Sequence, residues 1–463
     1  MHDIDPVIEK ALAILRKKSI DGYEVYLHQS SHFDVETKDG KVDTLHASQS
    51  LGMAFRILNR QRMGFSYTTS SHPSVSVRKD FPGGLEQIIE DATNSAEATS
   101  LDPCFDFAFP LKGSLPDLDI FDESLVGVSE KAKIEKAKLL EEAARSVDPG
   151  RIKKVRKASY QDVLSRTTLI NSNGVQFSYA STFSSVSVTA IAEESGASEV
   201  GWDFAYSPFF KDLDAEKVGR EAGRKALERL GGRRIPSGVY PVLLRDHVAS
   251  EFLSLLTHSF LSEQVQKGKS PLKGKKGEKF FSPLLSLVDD GLLAKGISTS
   301  PIDGEGMPSQ RTLLVVQGEV SGYLYDRYWA NREGLSLHSR VGSTGNSRRP
   351  SIKSPPGVGI SNFFIEPGNL PVSALMEGLH EGVVVEEVMG LHMVDPISGD
   401  FSLGCSGGWV DKGERVHPVK SVAIAGNLFE LFRKVKGVGE DLRFFGSVGS
   451  PSLLVEGLVI SGN

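Results

Sequence analysis

A chain of 463 residues is long for one domain, and 39% hydrophobic with 24% charged residues is ordinary for a globular protein with ample core material. A formal net charge of −6 gives no global pull toward nucleic acid, and two cysteines, Cys104 and Cys405, exclude a zinc site built on several thiolates. With no apolar run of signal-peptide or membrane-spanning length, the chain reads as a cytoplasmic protein.

In chain order, Asp5 and Pro6 open a helix whose apolar face carries Val7, Ile8, Ala11, Leu12, Ile14 and Leu15. Alternating segments follow: "YEVYLHQ", "FDVETK", a turn at Asp39-Gly40 and "KVDTLHA", then "LGMAFRIL" and "MGFSYTT" around a polar turn at Asn59-Arg60. A helix is expected from Gly84 to Ala98, and a Pro-, Asp- and Phe-rich connection over 101–123. The theme then repeats. "EKAKIEKAKLLEEAARSV" is a helix capped by Ser129. Strands lie in "IKKVRKASYQD", "RTTLINSNGVQFSYAST" (turning at Asn173-Gly174) and "SSVSVTAIAEE", and a further helix from Asp214 to Leu230 stops at Gly231-Gly232.

Beyond "GGRRIPSG" the character changes. "VYPVLLR" is a strand and 247–263 a helix; the remainder is Gly-, Pro- and Ser-rich with short apolar runs, mainly β, with one short helix around Leu428 to Val435. The fold class is therefore α+β. An N-terminal region of helices and antiparallel strands, 1–235, with a possible internal break near 101–123, precedes a β-rich domain, 236–463.

Several tempting motifs fail on context. "GCSGG" at 404–408 matches a nucleophile elbow, which needs a helix after it, but "WVDKGERVHPV" reads as two strands around a Lys-Gly turn. "KGKS" at 267–270 lacks both the upstream glycine and the preceding strand of a phosphate loop. Lys267, Lys269, Lys273, Lys275, Lys276 and Lys279 form a basic stretch with no aromatic residue among them to stack a base, and a solvated, mobile loop is expected. "HEGVVV" at 380–385 begins like a zinc helix, yet valine occupies both positions where the second histidine would stand. His46, His247, His258, His338, His392 and His417 are scattered, so spacing alone shows no metal site.

Two stretches carry a resemblance. "GVVVEEVMG", "DPISGDFS", "SGGWVDKGE", "IAGNL" and "GEDL" in the last ninety residues, with "VQKGKSPLKGKKGEK" and the helix before it, resemble the TldD/TldE metalloprotease family, and specifically its TldE branch, also called PmbA. In TldD-type chains this resemblance implies a catalytic helix bearing HExxxH and a C-terminal cysteine that completes a zinc site. Here the motif falls on Leu253, Ser254, Leu255, Leu256, Thr257 and His258, and the cysteine position falls within "FFGSVGSPS", 444–452, which has none.

The resemblance thus implies a degenerate metal motif (Leu253, Ser254, His258), no catalytic residue and no cofactor bound by this chain, with His258 structural or lining a cavity. Its partner would be a TldD-type subunit that brings the zinc. Together they would enclose a chamber for unfolded peptides; alone, the chain would form a homodimer. No membrane or nucleic-acid partner is expected. Two other readings stay open at this point: an independent hydrolase with an unrecognised site, and a gyrase- or nucleic-acid-associated binding protein acting through the lysines of 267–279.

Overall fold

The computed structural model describes residues 6–70, 84–111, 115–395 and 397–462, so the capping role expected of Asp5 lies outside the described residues. Helix α1 (Pro6–Leu15) leads into β1 (Gly22–Lys38), β2 (Lys41–Asn59) and β3 (Arg62–Ser70), and α2 (Gly84–Ala98) follows. The pattern returns with α3 (Glu130–Ser146), β4 (Lys154–Asn171), β5 (Gln176–Glu194), β6 (Ala197–Ser207) and α4 (Ala215–Glu228). Segments that read separately in sequence are continuous strands here. Asp39 and Gly40 both take positive φ (51° and 71°), as a two-residue hairpin turn demands. Ser129 and Asp214 cap α3 and α4, their side chains accepting from the amides of Ala132 and Lys217.

All six strands form one antiparallel sheet in the order β3-β2-β1-β4-β5-β6, so the two α-β-β-β-α units meet at β1 and β4. Alternation divides each strand between two faces. Val25, Leu27, Met53 and Phe55 pack under α1 and α2, while Phe33, Val35, Tyr160 and Val186 pack under α3 and α4. The two units use the same close contact. A Cβ at Gly64 would stand 2.0 Å from the carbonyl oxygen of Ala92 in α2, and one at Gly201 would stand 2.2 Å from that of Ala222 in α4. Only glycine lets each helix lie this close to its strand. The opposite face carries Glu24, Tyr26, Arg56 and Leu169 toward the C-terminal half.

That half begins with β7 (Gly238–Leu244), α5 (Asp246–Leu256), a 3₁₀ turn at Thr257–Phe260, and α6 (Ser262–Gln266). It continues through β8 (Leu287–Asp290), β9 (Arg311–Val316), β10 (Glu319–Val320), α7 (Arg327–Leu337), β11 (Ser347–Arg348), β12 (Gly357–Val358), β13 (Phe363–Ile365) and α8 (Val372–Leu379). It ends in β14 (Glu381–Met389), β15 (Asp400–Asp411), β16 (Glu414–Asn427), α9 (Leu428–Arg433), β17 (Val435–Val438), β18 (Arg443–Phe445), β19 (Val448–Ser450) and β20 (Leu453–Ser461). Strands β16-β15-β14-β7-β20 close on themselves through β16–β20 pairing into a barrel. A second sheet runs β10-β9-β8-β13-β19-β18.

Three expectations are corrected. The helix expected over 247–263 is interrupted at 257–260, where the Ser254 and Thr257 hydroxyls donate to the carbonyls of Glu251 and Ser254, each at 2.7 Å. Helices α7 and α8 lie in a stretch expected to hold only the helix near Leu428, and β6 is a strand that went unread. The basic stretch is anchored rather than loose: Ser270 Oγ donates to the Ser259 carbonyl at 2.6 Å, Leu272 is fully buried, and the Leu272 carbonyl accepts from the Tyr323 hydroxyl.

Candidate functional site

Helix α5 presents Phe252, Leu253 and Leu256 to the main core, all fully buried, with Phe252 against Phe401 at 5.0 Å. Ser254 is exposed on the other side, and the 3₁₀ turn that follows holds Thr257 and His258 outward. Thr257, His258 and Leu261 form one wall of a cavity of about 550 Å³ between the N-terminal sheet and the C-terminal half.

The floor comes from neighbouring strands: Tyr26 stands beside Leu169, and Thr167 beside Tyr179, in the β1–β4 and β4–β5 registers. Burial pushes the Tyr179 phenol up to about 12 and also raises Tyr26, so both hydroxyls are neutral. Loop residues Ser300–Gly304 and the β11–β12 hairpin complete the lining.

Two charged groups in this lining are fully engaged. Asp303 Oδ1 accepts from the amides of Glu305 and Met307, both at 2.9 Å, and Oδ2 from that of Ser347 at 3.0 Å. Burial, then the Glu305 charge, raises its carboxyl. Arg349 pairs with Glu24, donates to the Gly304 carbonyl at 2.8 Å and lies 4.3 Å over the Tyr26 ring. Glu24 is shared with Arg56 at 2.7 Å, and Arg56 reaches Glu305 at 3.0 Å. Burial alone would raise the Glu24 carboxyl, but Arg56 and Arg349 outweigh it and hold it below the usual range. This buried cluster ties the N-terminal sheet to the C-terminal loops.

Arg348 differs from its neighbour. Its Nη1 donates to the Ser298 carbonyl at 3.5 Å, Nε and Nη2 are buried without a partner, and it makes no ion pair among the described residues. Tyr26, Tyr179, Arg348 and Arg349 escaped the sequence reading because strand and loop segments far apart in the chain bring them together, and no spacing rule links them.

The zinc that the resemblance implies for TldD-type chains does not fit the residues at the corresponding positions here. His258 is the one imidazole at the motif, Leu253 is locked in the core, and no sulfur stands in 444–452. Among the described residues, no three His, Cys, Asp or Glu side chains stand close enough together to hold a metal. Both cysteines are free and buried. His46 lies on β2 and His392 in a 3₁₀ turn, while His338 and His380 end α7 and α8 with positive φ. His417 Nδ1 lies 3.0 Å from the Pro418 carbonyl oxygen. Ser406 of "GCSGG" is mid-strand in β15, where no elbow can form.

His247 lies in a second cavity, of about 360 Å³, between α4 and the C-terminal sheets, with its ring 4.7 Å from Trp202 and 4.8 Å from Phe445. Its Nε2 is 3.5 Å from Glu251 Oε1, and Glu251 Oε2 is buried without a partner. Burial, reinforced by Lys225, Arg443 and Arg229, pushes the His247 imidazole from 6.5 down to about 4. Burial, reinforced by Glu387, pushes the Glu251 carboxyl from 4.5 up to about 7. The signs oppose: the Glu251 contribution to stability declines as pH rises from 4.5 to about 7, and that of His247 declines as pH falls from 6.5 to about 4. With a quarter of the Glu251 side chain exposed and screened, Glu251→Gln is expected to gain only about 1–2 kcal/mol on the wild type between about pH 5 and about pH 8. Parallel thermal melts of the two proteins at both pH values check this; an unchanged difference refutes it.

Comparison with known proteins places this architecture. Residues 23–96 match the PmbA/TldA metallopeptidase domain 1, 123–230 its central domain and 237–462 its C-terminal domain. The chain is 28% identical to the metalloprotease PmbA of Escherichia coli O157:H7, over 99% of this chain and 96% of that one. A Thermotoga maritima crystal structure, described as a candidate modulator of a DNA gyrase, superposes with a TM-score of 0.87 at 26% identity, covering 98% of this chain and 99% of that one. TldE from Thermococcus kodakarensis shares the fold, with a TM-score of 0.87 at 21% identity, over 98% of this chain and 100% of that one.

Proposed function

Since the chain belongs to the PmbA/TldA metallopeptidase family, we propose that it is the TldE-like, non-catalytic subunit of a two-chain zinc peptidase acting on unfolded peptides. The metal, its ligands and the base for the attacking water come from a TldD-type partner. One observation carries this reading: the positions that would hold HExxxH are Leu253, Ser254 and His258, of which Leu253 is fully buried in the core. A single imidazole binds zinc weakly, since catalytic sites use three protein ligands. Without a carboxylate beside it, a bound water would have no base. In this reading the chain closes the chamber and holds substrate, and alone it pairs with a second copy. The units 1–235 and 236–463 are its two bodies, with the peptide passing between them.

The test is metal content and cleavage of an unstructured peptide by the chain alone, by a TldD-type partner, and by their mixture. Zinc and cleavage are expected in the mixture and to survive His258→Ala. Stoichiometric zinc with cleavage by this chain alone would overturn the assignment. No helix among the described residues is long and apolar enough to cross a membrane.

A further inference from the structure

Among the charged groups described in the lining of the His258 cavity, Arg348 is the one with donors that have no partner. Arg349, next in sequence, spends its guanidinium on Glu24 and the Gly304 carbonyl. Asp303 spends both oxygens on backbone amides. Asp289, whose carboxyl feels the Arg348 charge, is likewise occupied: it accepts from the Ser361 amide at 2.7 Å, the Ser361 hydroxyl, and Asn346 Nδ2 at 2.6 Å. Arg348 Nε and Nη2 therefore have no partner, like the buried Ser347 hydroxyl adjacent in sequence. None of the three is open to solvent, so a ligand reaches the two donors only as the guanidinium turns into the cavity. Leaving such donors unmade is expensive, and a planar oxyanion is what a guanidinium fork matches best.

The surroundings narrow the choice of oxyanion. Leu169, Leu261, Ile302 and Ile360 line the same cavity as the neutral phenols of Tyr26 and Tyr179. A phosphate or sulfate site has no use for this much apolar wall, whereas the last residue of a peptide has both an apolar side chain and a carboxylate. The volume of about 550 Å³ lies within the range of small-ligand sites and far below that of a folded segment. Gly359 lets the hairpin pack closely on the Arg348 stem: a Cβ there would stand 3.0 Å from Arg348 Cγ.

We propose that this cavity is an anchor for the free C-terminal carboxylate of a peptide, with Arg348 receiving the carboxylate, the aliphatic and tyrosine walls receiving the last side chain, and His258 at the rim. The proposal rests on the subunit role above and names how substrate is held on this side of the chamber. Arg348 acts as a binding residue and takes no part in bond cleavage.

Calorimetric titration of the full chain with a short unstructured peptide ending in leucine, as free acid and as C-terminal amide, tests it. The acid is expected to bind about tenfold or more tightly than the amide. Arg348→Gln is expected to bring the acid down to the affinity of the amide, and Arg348→Lys to fall between, because an ammonium keeps the charge and loses the fork. Equal binding of acid and amide to the wild type, or no binding of either, overturns the anchor without recourse to a variant. So does an acid preference that survives Arg348→Gln. Inorganic phosphate binding as tightly as the free acid overturns it as well, since it marks a plain oxyanion site. Cleavage by the mixture with a TldD-type subunit reads the subunit role separately: equal binding of acid and amide with cleavage intact would remove the anchor and leave that role standing.

Discussion

Arg56→Met is expected to lower stability by about 3–5 kcal/mol, seen as a clear downward shift of the thermal transition in scanning calorimetry. Arg56 is buried on β2, directly opposite Glu24 in the β1–β2 register, and binds both Glu24 oxygens, at 2.9 and 2.7 Å. Its third contact, to Glu305, crosses into the C-terminal half. Methionine fills similar space and leaves Glu305 with only the Arg327 amide, at 3.1 Å. An intact buried pair is weak evidence of net stability, but breaking one strands a charge away from water, and that second effect decides the magnitude. Because Glu24 and Arg349 support the cavity wall beside Tyr26, the same variant should weaken peptide binding at Arg348. A transition unmoved by the substitution would mean that water reaches Glu305 and that the cluster is not the tie between the two halves.

The second large effect comes from writing HExxxH onto residues 253–258. Leu253→His with Ser254→Glu restores the letters of HExxxH around His258, yet it is expected to lower stability by about 3 kcal/mol or more and to gain no stoichiometric zinc. Leu253 is fully buried, so the change removes a packed side chain and buries an imidazole where the surrounding cluster is apolar. A glutamate at 254 would be exposed, which is harmless but also unhelpful. Metal analysis after dialysis, together with a melting curve, reads both halves of the expectation. Tight zinc with an undiminished melting temperature would mean that α5 can turn the introduced imidazole toward the cavity, and that zinc binding is two substitutions away.

Much of the N-terminal half was legible because its signals are local. Asp39-Gly40 and Asn173-Gly174 mark their turns by the positive φ they permit, and α2 runs over the residues expected of it. Strand β6 escaped because "ASEVGWDFAYS" follows its turn at Ser195-Gly196 with a glycine in its middle, and Gly201 is there for helix contact rather than for the strand. Helix α7 buries only Trp329 and Ala330, too little for a stripe, and α8 is a short element behind Pro371. Of the candidate site, only His258 was legible, through the resemblance that placed it. His258 could be found by its register, whereas Arg348 depends on a hairpin, a sheet floor and a loop that meet only in three dimensions.

The barrel sets an order on events. Strand β7, from which α5 hangs, pairs with β14 on one side and with β20 on the other, so Leu244 lies against both Val385 and Leu453. The first strand of this half is therefore also among the last to be flanked, and its partners emerge from the ribosome long after it. Contacts of such high sequence separation slow folding, because loop closure must precede any reward. During synthesis the N-terminal sheet can assemble from its own neighbouring hairpins, while β7 and the helix behind it wait with their apolar side chains uncovered. The cavity beside His258 comes into being only when that wait ends, which makes the nascent C-terminal half the stage of synthesis with the most uncovered apolar surface.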